Sequence, residues 1–194
     1  TPETAEKLLR WRIRAYQITI DGPQECHDRS RPTRTGEGTF DTILDNLRAL
    51  RARDEEYRVD VRINFDRTNR DHLGRLLDTL ETDFADDPRF ELRFRPVGQW
   101  GGPNDQDLQV CGHEDAARVQ REMKEEARRR GLGLSDDIRQ VHGLGDQVCY
   151  AARPYNFIVG ADGQLMKCTI DLDRKDRNLV GRLTEDGELE LDMD

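Results

Sequence analysis

The sequence predicts an α/β fold whose parallel sheet curves into part of a barrel. Three observations carry that reading. Helical and strand-like patterns alternate through the first 130 residues, each strand alternates polar with apolar side chains, and the connection after the first strand is unusually long. Strands separated by helices imply right-handed βαβ units and a parallel sheet. Helices on both faces would make the strands read as continuous apolar runs. These strands leave one face polar, so that face looks onto something wet or charged.

The elements follow in order. Thr1-Pro2-Glu3 opens a helix over Thr1–Trp11, with a hydroxyl N-cap and Pro at the first helical position. Ala15–Asp21 is a strand with Tyr16, Ile18 and Ile20 on one face and Gln17, Thr19 and Asp21 on the other. Thr39 caps a helix whose Phe40, Ile43, Leu44, Leu47 and Leu50 share one side. In the strand Tyr57–Phe65, Val59, Val61, Ile63 and Phe65 oppose Arg58, Asp60, Arg62 and Asn64. Asn69 caps a helix carrying Leu73, Leu76, Leu77, Leu80 and Phe84. In the strand Phe90–Val97, Phe90, Leu92 and Phe94 oppose Glu91, Arg93 and Arg95, and a charged helix over His113–Arg130 ends at Gly131. The organisation expected is a partial (β/α) barrel over 1–130, an irregular linker over 131–148 and a β-hairpin region over 149–194. Two settings satisfy the polar faces: a half-closed barrel with a polar lumen, or a sheet with one face in water.

Composition narrows the class. Charged residues make up 37% of the 194 and the formal net charge is −9, which suits a soluble, cytoplasmic protein and disfavours a nucleic-acid binder, for which a basic surface is expected. No apolar run approaches the roughly 20 residues that span a bilayer. Four cysteines, Cys26, Cys111, Cys149 and Cys168, do not suggest a disulfide scaffold. The opening helix cap and the closing "ELELDMD" read as cuts within a longer protein.

Barrel ligands sit at the carboxyl ends of the strands, on the βα loops. Thr19, Asp21, Arg62, Asn64 and Arg95 stand near those ends. So does "DGPQECHDRSRPTRTGEG", far longer than the usual connection of about two to six residues, and it is expected to wall the ligand site.

These residues resemble a known family. "YQITIDGPQECHDRSRPTRTGEGTFDTILDNLRAL" followed by "VRINFDRTN" is similar to the middle of radical S-adenosylmethionine enzymes that carry a C-terminal SPASM domain, a group that includes sulfatase-maturating enzymes and peptide maturases. The shared pattern is Ser/Thr-x-Asp-Gly-Pro at a strand end, His-Asp, Arg, and Gly-x-Gly-Thr-Phe opening a helix. Further on, Cys149 is followed by thirteen residues, Gly163, four residues and Cys168, which resembles the opening Cys-x(9–15)-Gly-x4-Cys of a SPASM domain. Ala161-Asp162-Gly163 makes a plausible hairpin turn that returns Cys168 beside the Cys149 segment.

The resemblance implies a peptide or protein substrate, S-adenosylmethionine and [4Fe–4S] clusters. A reduced cluster cleaves the cofactor, and the resulting 5′-deoxyadenosyl radical takes a hydrogen atom from the substrate. It implies that Thr19 contacts the cofactor, that Arg31 pairs with its carboxylate, that Asn64 and Arg62 reach its ribose or methionine end, and that Cys149 and Cys168 ligate an auxiliary cluster. The family's Cys-x3-Cys-x2-Cys triplet is missing from the 194 residues, so these residues alone are expected to be inactive while the parent protein is an enzyme. A non-catalytic relic that binds a peptide is the competing reading; a zinc module on Cys149 and Cys168 is weaker, because four ligands at zinc spacing are wanting. Sulfatase maturases are expected to carry Asp immediately after the cysteine matching Cys168; here Thr169 follows, with Asp171 further on.

Several residues carry two readings from the sequence. His27-Asp28 is an acid–base pair or loop architecture with Asp28 as a cap. Arg62 is a ligand or an ion-pair partner of Asp60 or Glu91, and Arg31 a ligand or a solvated charge. Cys26 and Cys111 are thiols near a site or small buried side chains. Trp100 is a substrate contact, and Trp11 is expected to pack in the core. Exposed strand edges are expected to promote self-association.

Overall fold

The structure is a computed structural model that describes residues 1–101, 103–135 and 149–192. The chain forms two compact units, Thr1–Ser135 and Asp136–Asp194. The expected linker lies mainly outside the described residues.

In the first unit, helix α1 (Pro2–Arg10) begins at Thr1, whose side chain accepts a hydrogen bond from the Thr4 N–H. Strand β1 (Ala15–Thr19) follows, then α2 (Gln24–Ser30), α3 (Phe40–Arg51), β2 (Arg58–Phe65), α4 (Leu73–Phe84), β3 (Phe90–Pro96), α5 (His113–Arg129) and a short β4 (Gly133–Leu134). All four strands pair in parallel, in the order β1-β2-β3-β4. The register sets Thr19 opposite Arg62, Arg62 opposite Arg93 and Asn64 opposite Arg95.

The alternating pattern sorts the sheet's faces. Val59, Val61, Ile63 and Phe65 are fully buried with Leu73, Leu76, Leu77 and Leu80 of α4. Burying each such side chain contributes about 1.5–3 kcal/mol, so this layer supplies the unit's stability. On the other face, Gln17 donates to Asp60 (2.8 Å), and Asp60 Oδ2 lies 2.8 Å from Arg93 Nε.

Four expectations change. The long connection is not one loop, because Gln24–Ser30 winds into α2. The first unit runs to Ser135, past the expected bound at 130, since β4 continues the sheet and Ser135 accepts a hydrogen bond from the buried Arg93 at 2.8 Å. Trp11 is 70% exposed. It lies two residues, about 200° of helix, beyond buried Leu9, and the chain leaves the helix through Arg12 at φ 60°. Asn69 precedes the turn into α4 without a side-chain cap bond.

In the second unit, β5 (Ile158–Val159), β6 (Gln164–Met166), β7 (Leu179–Leu183) and β8 (Leu189–Leu191) form an antiparallel sheet in sequence order, with a short helix α6 (Lys175–Asn178) before β7. Leu165 and Met166 are its buried apolar side chains. Among the described residues, no helix is long and apolar enough to cross a membrane.

Candidate functional site at the strand ends

The carboxyl ends of β1 and β2 meet around one side chain, Asp21. Gly22 follows at φ +116°, a backbone conformation that favours glycine. A Cβ there would sit 3.1 Å from that of Cys26. Pro23 then enters α2, and its carbonyl accepts from the N–H groups of Cys26 and His27. The Asp-Gly-Pro turn thus folds α2 back over the strand end.

Asp21 is buried, and each of its polar groups is bonded. Oδ1 accepts from the N–H and the Nδ2 of Asn64, both at 3.0 Å, and Oδ2 accepts from Arg31 Nε at 2.5 Å. Its carbonyl accepts from Asn69 Nδ2 at 2.8 Å, while its N–H donates to His27 Nδ1 at 3.1 Å. Asn69 Nδ2 also donates to the Asn64 carbonyl, and Asn69 Oδ1 accepts from the Asp66 N–H. One amide therefore joins the two strand ends instead of capping a helix.

His27 is fully buried and stacks edge-on against Phe40 at 6.0 Å. Because Nδ1 accepts from Asp21, the neutral ring carries its proton on Nε2 and donates to Thr39 Oγ1 at 3.0 Å. The Thr39 hydroxyl in turn donates to the Arg31 carbonyl at 2.7 Å. Burial pushes the His27 pKa down, against the pull of Asp21 and Asp28. Asp28 turns away from His27 and caps α3, accepting from the N–H groups of Thr39 (2.8 Å) and Phe40 (2.9 Å). The His-Asp dipeptide is loop architecture: one residue holds Asp21, the other the next helix.

The expected ligand residues fall as follows. Thr19 ends β1 half-buried, and its hydroxyl makes no hydrogen bond among the described residues. Arg31 is fixed at Nε by Asp21 with its side chain 45% exposed, and its terminal nitrogens are unbonded among the described residues. Asn64 is engaged at both ends of its amide, since Oδ1 accepts from Arg62 Nε at 2.8 Å. Arg62 pairs with neither Asp60, which lies against Arg93, nor Glu91, which faces Arg58 at 3.9 Å. Burial, then the charge of Arg95, pull the Arg62 pKa down; Arg93 and Arg31 add to this and Asp21 opposes it. A cleft of about 280 Å³ opens beside Asp21, Asn64, Asn69 and Ser30.

Cys26 is buried and desolvation raises its pKa, while Cys111 is half-buried against the apolar core. Trp100 is 71% exposed.

In the second unit the hairpin returns the chain as its turn chemistry requires. The Tyr150 hydroxyl lies 2.6 Å from Thr169 Oγ1 and accepts from the Thr169 N–H at 3.1 Å, which brings the residues next to Cys149 and Cys168 together. Buried Asn178 clamps the second segment: Oδ1 accepts from the N–H groups of Lys167 and Cys168, and Nδ2 donates to the carbonyls of Cys168 and Asp171. Among the described residues, no three His, Cys, Asp or Glu side chains converge as a metal site.

Sequence reasoning missed Asp21 as the organising residue, although its place on the polar face at a strand end was a usable signal. Asn69 gave no such signal, because an Asn before a helix reads as a cap.

No protein-family model matches the chain. No curated protein matches it either. Solved structures do. Native anSMEcpe, an anaerobic sulfatase-maturating enzyme, with bound AdoMet superposes with TM-score 0.62 at 17% identity, over 94% of this chain and 50% of that one. The same enzyme with AdoMet and Cp18Cys peptide gives 0.63 at 16% identity, and with AdoMet and Kp18Cys peptide 0.64 at 15%, each covering 94% of this chain and 51% of that one. The chain spans about half the length of the solved structures it matches. At this identity the likeness is one of fold: a mixed α/β architecture with a parallel sheet, shared with part of the anSMEcpe structure.

Proposed function

We propose that this chain is part of a radical S-adenosylmethionine enzyme that modifies a peptide, and that the strand ends around Asp21 face the cofactor. The observation that carries the reading is the Asp21 hub itself. It pins Arg31 at Nε and leaves both terminal nitrogens to fork onto a carboxylate. The unbonded Thr19 hydroxyl stands on the same polar face and suits a ribose or amino group. Support comes from the fold neighbours, which hold AdoMet and, in two cases, a peptide.

The bound cofactor supplies hydrogen-atom abstraction. This chain's residues bind and orient: Asp21 positions Arg31 and Asn64, and Asn64 in turn holds the Arg62 guanidinium. Cys149 and Cys168 suit two of the four thiolate positions of an auxiliary [4Fe–4S] cluster. No third ligand is grouped with them among the described residues. The 194 residues contain no Cys-x3-Cys-x2-Cys triplet, so we assign them no activity by themselves. The substrate is a peptide other than a sulfatase, because Thr169, held by Tyr150, stands where the base carboxylate is expected.

Calorimetric titration of the full chain with S-adenosylhomocysteine tests the cofactor site. Arg31→Gln is expected to weaken binding about tenfold, the scale of one lost charge-assisted contact. Wild-type chain that binds no S-adenosylhomocysteine overturns the proposal.

A further inference from the structure

Arginine is abundant in this chain, and most of its guanidinium groups have a carboxylate against them. Arg48 lies on Asp83, Arg51 on Asp86, Arg89 on Asp87 and Arg130 on Asp78. Such pairing is easy to arrange where 40 acidic residues accompany 31 basic ones. Several exposed arginines have no carboxylate against them among the described residues; at the polar ends of β2 and β3, the half-buried Arg62 lacks one as well and has the exposed Arg95 near it.

Arg62 donates only to the neutral Asn64 Oδ1, and Arg95 pairs with no carboxylate among the described residues. The two stand on the same face of neighbouring strands, offset by two residues, since Arg62 is opposite Arg93 and Asn64 opposite Arg95. Arg93, between them, is spent on Asp60 and Ser135. The charges acting on the half-buried Arg62 are those of Arg95, Arg93 and Arg31 against the single carboxylate of Asp21. Asp21 is already committed to Arg31 and Asn64. Like charges gathered around one half-buried guanidinium are unfavourable until an anion joins them.

We infer that Arg62 and Arg95 form a receptor for the side-chain carboxylate of an acidic residue in the peptide substrate. The inference rests on the peptide-modifying reading and adds a substrate class to it. Two guanidinium forks on adjacent strands match a planar carboxylate, which accepts two parallel N–H bonds from each side. The cofactor is not the expected anion. With strands about 4.8 Å apart, Arg95 on β3 stands roughly 10 Å from the β1 end that carries Thr19 and Asp21. Arg31 already offers a fork there.

The test uses the full chain and two fluorescent heptapeptide pools, with Glu or Gln fixed at the centre and uncharged residues randomised around it. Anisotropy is expected to show the Glu pool binding about tenfold more tightly than the Gln pool. Arg95→Gln and Arg62→Gln should each abolish that preference. S-adenosylhomocysteine titrated into the same proteins reads the cofactor site separately. Its affinity should stay within about twofold in Arg95→Gln, whose side chain makes no hydrogen bond or ion pair among the described residues. Equal binding of the two pools, or binding of neither, overturns the inference and leaves the cofactor proposal standing. Loss of S-adenosylhomocysteine affinity in Arg95→Gln also overturns it, by giving the anion site to the cofactor. Failure of wild-type chain to bind S-adenosylhomocysteine, with the Glu preference intact, overturns the cofactor proposal alone.

Discussion

Replacing Asp21 by Asn separates the two halves of the strand-end hub. The amide is isosteric, and its oxygen still accepts the two bonds from Asn64, both 3.0 Å long in the wild type. Its NH2 group, however, replaces Oδ2, which accepts from Arg31 Nε at 2.5 Å, and sets a donor against a donor. A hydrogen bond to a charged group is worth about 1.5–3 kcal/mol. The Arg31 side chain is 45% exposed, so solvent screening brings the expected loss to about 1–2 kcal/mol. Asp21→Ala removes both halves and strands the Asn64 donors in a buried site, raising the loss to about 3–4 kcal/mol. The chain's two tryptophans, Trp11 and Trp100, both belong to the first unit, so urea unfolding followed by tryptophan fluorescence reports on that unit alone. Midpoints should fall in the order wild type, Asp21→Asn, Asp21→Ala with an unchanged slope. The double variant Asp21→Asn/Arg31→Gln should be little worse than either single one, because both remove the same bond. An Asp21→Asn midpoint equal to wild type, or below that of Asp21→Ala, would refute the reasoning.

Three further outcomes follow from neighbouring contacts. Burial lowers the His27 pKa below its ordinary 6.5, so the unfolded chain takes up the proton first; stability is complete above that value and is lost as the pH falls through it towards the folded value, by at most about 1.4 kcal/mol per pH unit. Urea midpoints between pH 7 and pH 5 check this, and a profile that His27→Gln leaves unchanged speaks against it. Gly38→Ala would place a Cβ into the Asp28 carboxylate and dislodge the cap of α3, costing about 1–2 kcal/mol; an unchanged midpoint would mean that Asp28 does not hold the helix. Asn178→Ala removes four bonds to the Lys167–Asp171 segment and should speed the reaction of Cys168 with a thiol reagent about tenfold, with exposed Cys149 as the internal reference; equal rates in both proteins would show the clamp to be dispensable.

The sheet was legible because its signal is periodic and local. Arg58–Phe65 alternates without a break, and the structure buries every second residue of it. The helices α3 and α4 were legible for the same reason, each having one side made of Leu and Phe. Less was visible where partners lie far apart in sequence. Asp28 caps α3 from eleven residues upstream, whereas a local reading gives the cap to Thr39. Arg93 meets Ser135 across 42 residues, so the fourth strand could not be anticipated from a two-residue segment. Thr19, Arg31, Arg62 and Asn64 were chosen from their places in the strand pattern and the family resemblance. The structure gathers the last three around Asp21, a residue that spacing alone could not rank above its neighbours.

The length of the connection between β1 and α3 has a physical explanation in these bonds. A turn of a few residues would join the two elements but would leave the Asp21 carboxylate facing only Asn64. The longer path lets α2 fold back, so that His27 reaches the Asp21 N–H, Arg31 reaches its carboxylate, and Thr39 ties the Arg31 backbone to the His27 ring. Ordering each residue of such a segment costs about 1–2 kcal/mol of backbone entropy, which only a dense set of contacts offsets. Part of the segment's charge is spent inside the unit, while Glu25, Arg29, Arg34 and Glu37 stay exposed. His27, Asp28 and Arg31 each spend a polar group inside the first unit, and the atoms left over, the terminal nitrogens of Arg31 and the hydroxyl of Thr19, stand at the same strand ends. On the proposed reading, the bonds that order this segment leave the Arg31 fork as the group it presents to a ligand.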